Sequence, residues 1–473
     1  MLQSLLSKDI FMAKVVDMTV GSPFKKITVF AIPIALSFLL QNVYSFCDTL
    51  IVSLSRGSQA MTAINLTGSF SFFVNCSIQG MSTGFGIKLS QFIGAKDEDK
   101  MRNSVAVSIV LSFIIGTVFS LLFFFIAKPV LVLMKTGDAY LDASVSYIRA
   151  IFIGGLFMML YNLSDQILRA MGDSKTPVIT LIICALLNIL LNCLLFITDL
   201  GVSWAGYATI ISQAISAIIG FTIIFTRFKV LRLNRKDFSF NKDFVMSHLK
   251  MGFPLSLQFS ITALGCMFSQ KAFNALGNSY YSTAQTTASR IDNFFGSILN
   301  GLGVAMATYV GQNYGAKDYK RIREGANIAW LIGLIFTAVA TVGVLSTCIP
   351  LSKLLIKDEY AVDEVFSLIL KYILIQDSLY YFLFMIHAYR SSVQAIGFGK
   401  ITVIGGIIEF VSRVLIVETL AKIWGFVGAI LCNPLAWITA GIFFAISFYV
   451  CLKKLENSAK NDNNDYNLID KSL

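Results

Sequence analysis

The amino-acid sequence predicts an all-α integral membrane protein with about twelve transmembrane helices in two homologous six-helix bundles. Of its 473 residues, 56% are hydrophobic and 14% are charged, whereas soluble domains carry about 25% charged residues. The apolar residues form long runs, such as 111–127 and 178–198. A run of roughly 20 apolar residues crosses a bilayer as a helix, because a helix satisfies its own backbone hydrogen bonds. The runs do not alternate in the way that barrel strands do.

Polar residues divide the chain into twelve predicted spans and three flanking or linking segments. An interfacial segment at 1–24 precedes the first bundle, 25–226. A linker at 227–250 leads to the second bundle, 251–452, and a polar tail at 453–473 is predicted to be disordered. The predicted spans are 27–53, 60–87, 104–127, 143–168, 177–198, 204–226, 251–275, 283–310, 326–349, 364–395, 401–421 and 425–450.

The two halves of the chain repeat one another. The segment QFIGAKDEDKMR from Gln91 matches QNYGAKDYKRIR from Gln312, and Pro33 falls on Pro254 at the same offset of about 221 residues. This offset indicates a duplicated domain rather than a solenoid. Because six spans return the chain to the same face, the halves are expected to be parallel repeats about an axis along the membrane normal.

Basic residues set the expected orientation in the membrane. They are concentrated in alternate loops, for example between Arg227 and Lys236, while the opposite loops carry few. The positive-inside rule therefore places both termini in the cytoplasm of a multi-pass protein of the plasma membrane.

Several function classes are excluded by composition and by missing motifs. The net charge of +11 comes from the short loops, as topology requires, so no nucleic-acid partner is predicted. The sequence has no GxxxxGK[ST] phosphate loop and no His/Cys ligand spacing, so neither ATP, a metal nor another cofactor is expected. An enzyme would need a cluster of reactive side chains at one membrane depth, and the sequence shows no such cluster, so no enzymatic activity is expected. The chain is interpreted as a secondary transporter that works as a monomer among membrane lipids.

Three polar residues inside the spans predict an ion or proton site. Asp48 lies deep in the first span, where a carboxylate costs several kcal/mol unless it faces the bundle interior, is protonated or holds a cation. Asn188 and Asn192 lie one turn apart on one face of the fifth span. Their amide oxygens can coordinate sodium, and their amide hydrogens can bond a carboxylate.

Seven stretches spread over nearly the whole chain resemble, in the same order, stretches of the multidrug and toxic compound extrusion family. They are 19–34, 39–53, 91–97, 168–177, 185–192, 288–322 and 405–416. The resemblance implies export of drugs or organic cations in exchange for protons or sodium ions. It also implies that Asp48 is the family's first-helix acid, facing Asn188 and Asn192. The resemblance also implies that the position of Asn192 is often Asp or Asn in the family; because it is Asn here, the site lacks a possible negative charge, and tight sodium binding is less expected.

Other polar and special residues have more open interpretations. Pro33 and Pro254 remove a backbone bond from the first span of each half and are expected to kink it. Glu409 and Arg413, four residues apart, are interpreted as a structural ion pair. The candidates for lining a substrate cavity are Gln41, Asp165, Asp292 and Asp377. Asp165 has the alternative of pairing with Arg169.

The repeat predicts that the ion site exists in the first bundle alone. The offset places Ser269 opposite Asp48, and an offset of about 225 places Arg413 opposite Asn188 and Val417 opposite Asn192. The second copy has therefore lost its carboxylate and both amides. Because a proton needs one carboxylate, whereas sodium favours several converging oxygens, protons are favoured over sodium.

The sequence thus predicts an exporter of hydrophobic organic cations driven by inward flow of protons or sodium ions, working by alternating access. The alternative is a flippase for a lipid-linked sugar or phospholipid of the same superfamily. Such a substrate carries phosphate and would need basic residues around the cavity, whereas most Lys and Arg here lie in the loops.

Overall fold

The computed structural model describes residues 16–196, 198, 201–356 and 362–470. Throughout these ranges the chain is helical, with short connecting turns and no strand. Twelve helices are numbered α1 (Pro23–Gly57), α2 (58–94), α3 (Glu98–Leu133), α4 (Asp138–Ile153 and Gly155–Ala170), α5 (Thr176–Asn192), α6 (Ser203–Arg227), α7 (Lys242–Ala275), α8 (Ser279–Gly315), α9 (Tyr319–Leu355), α10 (Asp363–Ser378 and Tyr380–Ala395), α11 (Gly399–Glu418) and α12 (Cys432–Asp470).

These helices confirm the predicted fold class. Eight of them are individually long and apolar enough to cross a membrane, and the bent pairs α4 and α10 raise the number to ten. The helices α2 and α11 complete two sets of six. Single-turn helices lie at Lys229–Leu231, Arg235–Phe238, Cys193–Phe196, Leu420–Trp424 and Phe426–Ile430.

The two sets of six helices repeat their backbone irregularities as well as their sequence. The bend in α4 at Gly154 measures 50°, and the bend in α10 at Leu379, 225 residues later, measures 44°. The turn before α3 places Lys96 at φ 56, and the matching turn before α9 places Lys317 at φ 58. Equivalent positions therefore share local geometry in both halves.

The same turns cap the helices that follow them. Asp97 accepts a hydrogen bond from the Lys100 backbone amide at 3.0 Å, and Asp318 accepts one from the Arg321 amide at 2.9 Å. Hydrogen bonds from the side chain and the amide of Lys100 lower the pKa of Asp97. Both caps satisfy amides that the first helical turn leaves without a partner.

The chain divides into two compact units. Of the described residues, the first unit contains 16–17 and those from 30 to 263, and the second contains 18–29 and those from 264 to 470. In the first unit, α3 packs against both halves of α4, and α6 packs against α4 and α5. In the second unit, α12 packs against α10 and α11, and α8 packs against α9 and α10.

Glycines permit a close crossing of α2 and α7 within the first unit. A Cβ added at Gly84 would lie 2.4 Å from Gly252 Cα, so the two backbones are in direct contact. Hydrogen bonds hold the crossing: Ser77 and Ser260 hydroxyls are 2.7 Å apart, and Ser256 Oγ donates to the Ser77 carbonyl at 2.8 Å. Small residues of this kind are common where membrane helices approach closely.

Two segment boundaries differ from the prediction. The predicted linker 227–250 contains the first turns of α7, which begins at Lys242 because Asn241 accepts a bond from the Asp243 amide at 3.0 Å. Buried His248, in these turns, hydrogen-bonds Ser104 at 2.8 Å and so anchors them in the first unit.

The tail at 453–473, predicted to be disordered, instead continues α12 to Asp470. Within the second unit, Glu456 forms an ion pair with Arg323 at 2.6 Å, which fixes the first turns of the tail. Of the interfacial segment predicted at 1–24, residues 1–15 lie outside the described residues.

Candidate functional site

The three residues predicted to form an ion or proton site meet in the first unit. Asp48 lies on α1, about four helical turns after Pro33, and Asn188 and Asn192 lie on the face of α5 that is completely buried. Asn192 Nδ2 donates to Asp48 Oδ1 at 2.5 Å and to Asn188 Oδ1 at 3.0 Å. The one-turn spacing on α5 therefore places both amides beside one carboxylate.

A threonine from α6 completes the polar cluster. Asn188 Nδ2 donates to Thr209 Oγ1 at 3.2 Å, and Thr209 Oγ1 donates to the Ala205 carbonyl at 2.9 Å. With the Asn188 amide turned over, its nitrogen lies 3.0 Å from Asp48 Oδ1 and its oxygen accepts from Thr209. In either amide orientation Asn188 bonds Thr209 on one side and faces Asp48 and Asn192 on the other. We call Asp48, Asn188, Asn192 and Thr209 the α1/α5/α6 cluster.

Two tyrosines border this cluster. Tyr147, on the first half of α4, is buried and interacts electrostatically with Asp48. Tyr44, one turn before Asp48 on α1, also interacts electrostatically with Asp48 and forms a hydrogen bond with Thr209. The indole nitrogen of Trp204 donates to the Leu191 carbonyl at 2.8 Å and so ties α6 to α5 beside the cluster.

The cluster places one carboxylate beside two side-chain amides and a hydroxyl, which are groups that suit a proton or one monovalent cation. Asp48 supplies its carboxylate, and the hydrogen bond from the Asn192 amide offsets part of the cost of burying that charge. Asn192 Oδ1 is buried and has no partner among the described residues. A buried acceptor without a partner is costly. After rotation of this amide, its oxygen could accept a hydrogen bond from a protonated Asp48 or coordinate a bound cation. Within the described ranges, no group of three or more His, Cys, Asp and Glu side chains forms a metal centre.

Two predicted cavity residues, Gln41 and Asp165, line a small polar cavity in the first unit. Its volume is about 40 Å³, which suits a few water molecules. Asp165 and Arg169 face each other there at 3.8 Å, and both are buried. The pairing foreseen as an alternative for Asp165 is therefore present, while a role in substrate binding stays a prediction.

The other two predicted cavity residues lie together in the second unit. Asp292 on α8 and Asp377 at the bend of α10 are close enough for their charges to interact. Both carboxylate oxygens of Asp377 and one of Asp292 are buried without a partner among the described residues. Tyr380 donates to the Asp292 backbone carbonyl at 3.0 Å. Their part in substrate binding also stays a prediction.

The remaining predicted residues lie where the sequence suggested. Pro33 is inside α1, and the Ser37 hydroxyl donates to its carbonyl at 3.2 Å. Pro254 is inside α7. Glu409 Oε1 and Arg413 Nη2 form a buried ion pair at 2.8 Å on α11.

Sequence reasoning missed Thr209, Tyr147 and Tyr44. Each is a single polar side chain in an apolar span, and which way it faces depends on packing between helices. The spacing of the asparagines on α5 does not reveal residues contributed by other helices. The one available signal was position: Thr209 lies near the start of α6, opposite the end of α5, so a short connection brings the two near each other.

Comparison with known proteins identifies the family. The MatE family model matches residues 33–194 and again 254–417, more than half of the chain. The probable multidrug resistance proteins YoeA and YpnP of Bacillus subtilis are 27% identical over 323 residues and 28% identical over 314 residues; these matches cover 66% and 65% of this chain and 69% of each relative.

The fold is shared with solved structures. One, described as the outward-facing conformation of a multidrug resistance MATE family transporter of the MOP superfamily, aligns with a TM-score of 0.86 at 19% identity and covers 94% of this chain and 99% of its own. The double match of one model, together with this fold, shows that the chain belongs to the MatE family of multi-pass membrane transporters.

Proposed function

We propose that this protein is a secondary active exporter of hydrophobic organic cations, coupled to inward flow of protons through Asp48. The observation that carries the proposal is the contact of 2.5 Å between Asn192 Nδ2 and Asp48 Oδ1 inside a membrane bundle. An ionisable residue at this depth is a functional candidate by default. The names of the relatives, which call them multidrug resistance proteins, support a drug as substrate. A plasma-membrane location with both termini in the cytoplasm belongs to the same proposal.

Protonation changes which hydrogen bonds the cluster can make. The ionised Asp48 carboxylate accepts from the Asn192 amide. A protonated Asp48 has a hydroxyl that must donate, and the Asn192 amide can accept it by turning its oxygen toward α1. Loading a proton therefore rearranges the link between α1 and α5. This rearrangement gives the coupling ion a way to bias one conformation over another, as alternating access requires.

The substrate and the proton are proposed to compete through charge. A hydrophobic organic cation is attracted by buried carboxylates and by aromatic faces. A proton on Asp48 removes one of those negative charges and so weakens cation binding. One site then releases the drug when it takes the proton.

The test is efflux of a fluorescent organic cation from proteoliposomes of the purified protein, with a pH gradient or a sodium gradient imposed separately. The wild type is expected to respond to the pH gradient. Asp48→Asn is expected to lose that response while remaining folded, and Asp142→Asn, at an exposed position on α4, serves as the matched control. Gradient-driven efflux by Asp48→Asn at the wild-type rate would overturn the proposal, and a response to sodium without a response to pH would overturn the choice of ion.

A further inference from the structure

The second bundle contains the duplicated positions of the α1/α5/α6 cluster. Ser269 stands at the position of Asp48, and Arg413 at that of Asn188. Gly201 and Gly425, with Ala205 and Ala429, align the sixth and twelfth spans at an offset of 224 residues, which places Asn433 at the position of Thr209. The match of one family model to residues 33–194 and again to 254–417 supports the correspondence of Ser269 with Asp48 and of Arg413 with Asn188.

These three duplicated positions converge in the second unit. Ser269 Oγ donates to Asn433 Oδ1 at 3.1 Å, and Arg413 Nε donates to the same oxygen at 3.2 Å. Arg413 also pairs with Glu409 at 2.8 Å. The helices that build the first cluster therefore have counterparts that build a second one, with different chemistry.

The two clusters differ in where their charges come from. The first has the Asp48 carboxylate and neutral amides, so a cation must arrive from outside. In the second, the carboxylate comes from Glu409 on α11, and the cation is the guanidinium of Arg413, four residues along the same helix. Both charged residues are 3% exposed. The second cluster is therefore neutral without any bound ion.

A second residue difference between equivalent positions of the two repeats makes space for this guanidinium. Gly265 stands at the position of Tyr44. A Cβ at Gly265 would lie 2.7 Å from Arg413 Nη1, so the guanidinium occupies the space that a side chain would take. In the first bundle, Tyr44 fills its position and Asn188 is short. In the second bundle, glycine replaces the tyrosine and arginine replaces the asparagine.

We propose that the second bundle carries a copy of the ion site that the Arg413 guanidinium fills permanently as an internal cation. This inference rests on the proposed function, since it takes the α1/α5/α6 cluster to be a cation site. The filled copy exchanges no ion during transport, so one bundle does the coupling. Without the arginine side chain, the vacated cradle of Glu409, Asn433 and Ser269 should accept a free guanidinium-type cation.

The experiment is chemical rescue of Arg413→Ala in the full-length protein. The midpoint of thermal unfolding in detergent is expected to fall and to be restored saturably by millimolar methylguanidinium, far below the molar concentrations at which guanidinium denatures proteins. Sodium or potassium at the same concentration should not restore it. Methylguanidinium should stabilise neither the wild type nor the double variant Arg413→Ala/Glu409→Gln. Arg149→Ala, which removes an arginine from α4, is the control for non-specific effects.

A second variant keeps the proposal testable if Arg413→Ala does not fold. The exchange Glu409→Arg/Arg413→Glu preserves an ion pair at the same spacing but removes the guanidinium from its cradle. The yield and unfolding midpoint of this variant should be lower than those of the wild type. Equality with the wild type, or an Arg413→Ala variant that folds without a saturable response to methylguanidinium, would show a structural ion pair and overturn the inference.

This unfolding assay requires no transport, so it separates the inference from the proposed function. Loss of rescue with normal dependence of efflux on Asp48 would reject the internal cation alone. Rescue of Arg413→Ala together with full efflux by Asp48→Asn would reject the coupling role of the first cluster.

Discussion

Replacing Asn192 with Asp should convert the α1/α5/α6 cluster into a sodium-responsive site. Asn192 Nδ2 lies 2.5 Å from Asp48 Oδ1, so the variant brings two carboxylates into contact. Two negative charges about 3 Å apart repel by about 5 kcal/mol at an effective dielectric constant of about 20. The variant also loses a charge-assisted hydrogen bond, which contributes about 1.5–3 kcal/mol. A bound cation relieves this repulsion, and relief of even a third of it raises the affinity for the cation by about tenfold.

The assay is efflux of the fluorescent cation from proteoliposomes under an inward sodium gradient at fixed pH. We expect Asn192→Asp to respond to sodium at a concentration about ten times lower than any response of the wild type. Asn75→Asp is the matched control, because Asn75 is exposed on α2 and its amide bonds the Ser71 carbonyl of its own helix. If Asn192→Asp transports with an unchanged response to sodium, then the amide of Asn192 does not limit the choice of ion and the reasoning is refuted.

Two further predictions concern stability. Gly84→Ala should destabilise the folded protein by about 1–3 kcal/mol, because its new Cβ would meet Gly252 Cα at 2.4 Å. Gly68→Ala, where the added Cβ meets nothing within 4 Å, should stabilise it by up to about 1 kcal/mol. Equal unfolding midpoints of the two variants in a detergent titration would contradict both expectations. Asp97→Ala should lose about 1 kcal/mol of cap stability, whereas Asp97→Asn should keep most of it. The pKa of Asp97 is lowered in the folded state by bonds from Lys100, so the cap's charge contribution is present above the unfolded pKa of about 4 and is lost as pH falls through the folded value; an effect of Asp97→Ala that is as large at pH 3 as at pH 7 would contradict this.

The helical spacing of residues predicted one part of the geometry of the α1/α5/α6 cluster. Asn188 and Asn192 are four residues apart, and a helix must place such residues on one face. Their meeting with Asp48 required a helix-to-helix contact that spacing does not encode, and the family resemblance supplied it. Thr209 was not predicted, because the orientation of α6 depends on packing along its whole length.

The fold shows the same division between local and packing information. Long apolar runs predicted the number of helices, since each run needs one span. The bends at Gly154 and Leu379 were not predicted, because Gly and Leu are ordinary residues in membrane helices and neither marks a break by its type. The early start of α7 also escaped prediction: it depends on burial of His248 beside Ser104, a contact between residues far apart in sequence.

The placement of the two charged clusters also bears on how a transporter can use a duplicated fold. Asp48 lies on α1, the helix that contains Pro33. Because proline has no amide hydrogen, the carbonyl four residues earlier, that of Val29, lacks its helical partner. Protonation and deprotonation of Asp48 therefore change the charge on a helix that lacks one backbone hydrogen bond. In the second bundle the charges are those of Glu409 and Arg413 on α11, and Arg413 joins α11 to α12 through a hydrogen bond of 3.2 Å to Asn433. An ion exchanged there would break a buried ion pair at every turnover, whereas an ion exchanged at Asp48 rearranges two amides. We therefore expect the exchanging site to be the one on α1, and the second copy to be more useful to the protein as a filled structural joint than as a second ion site.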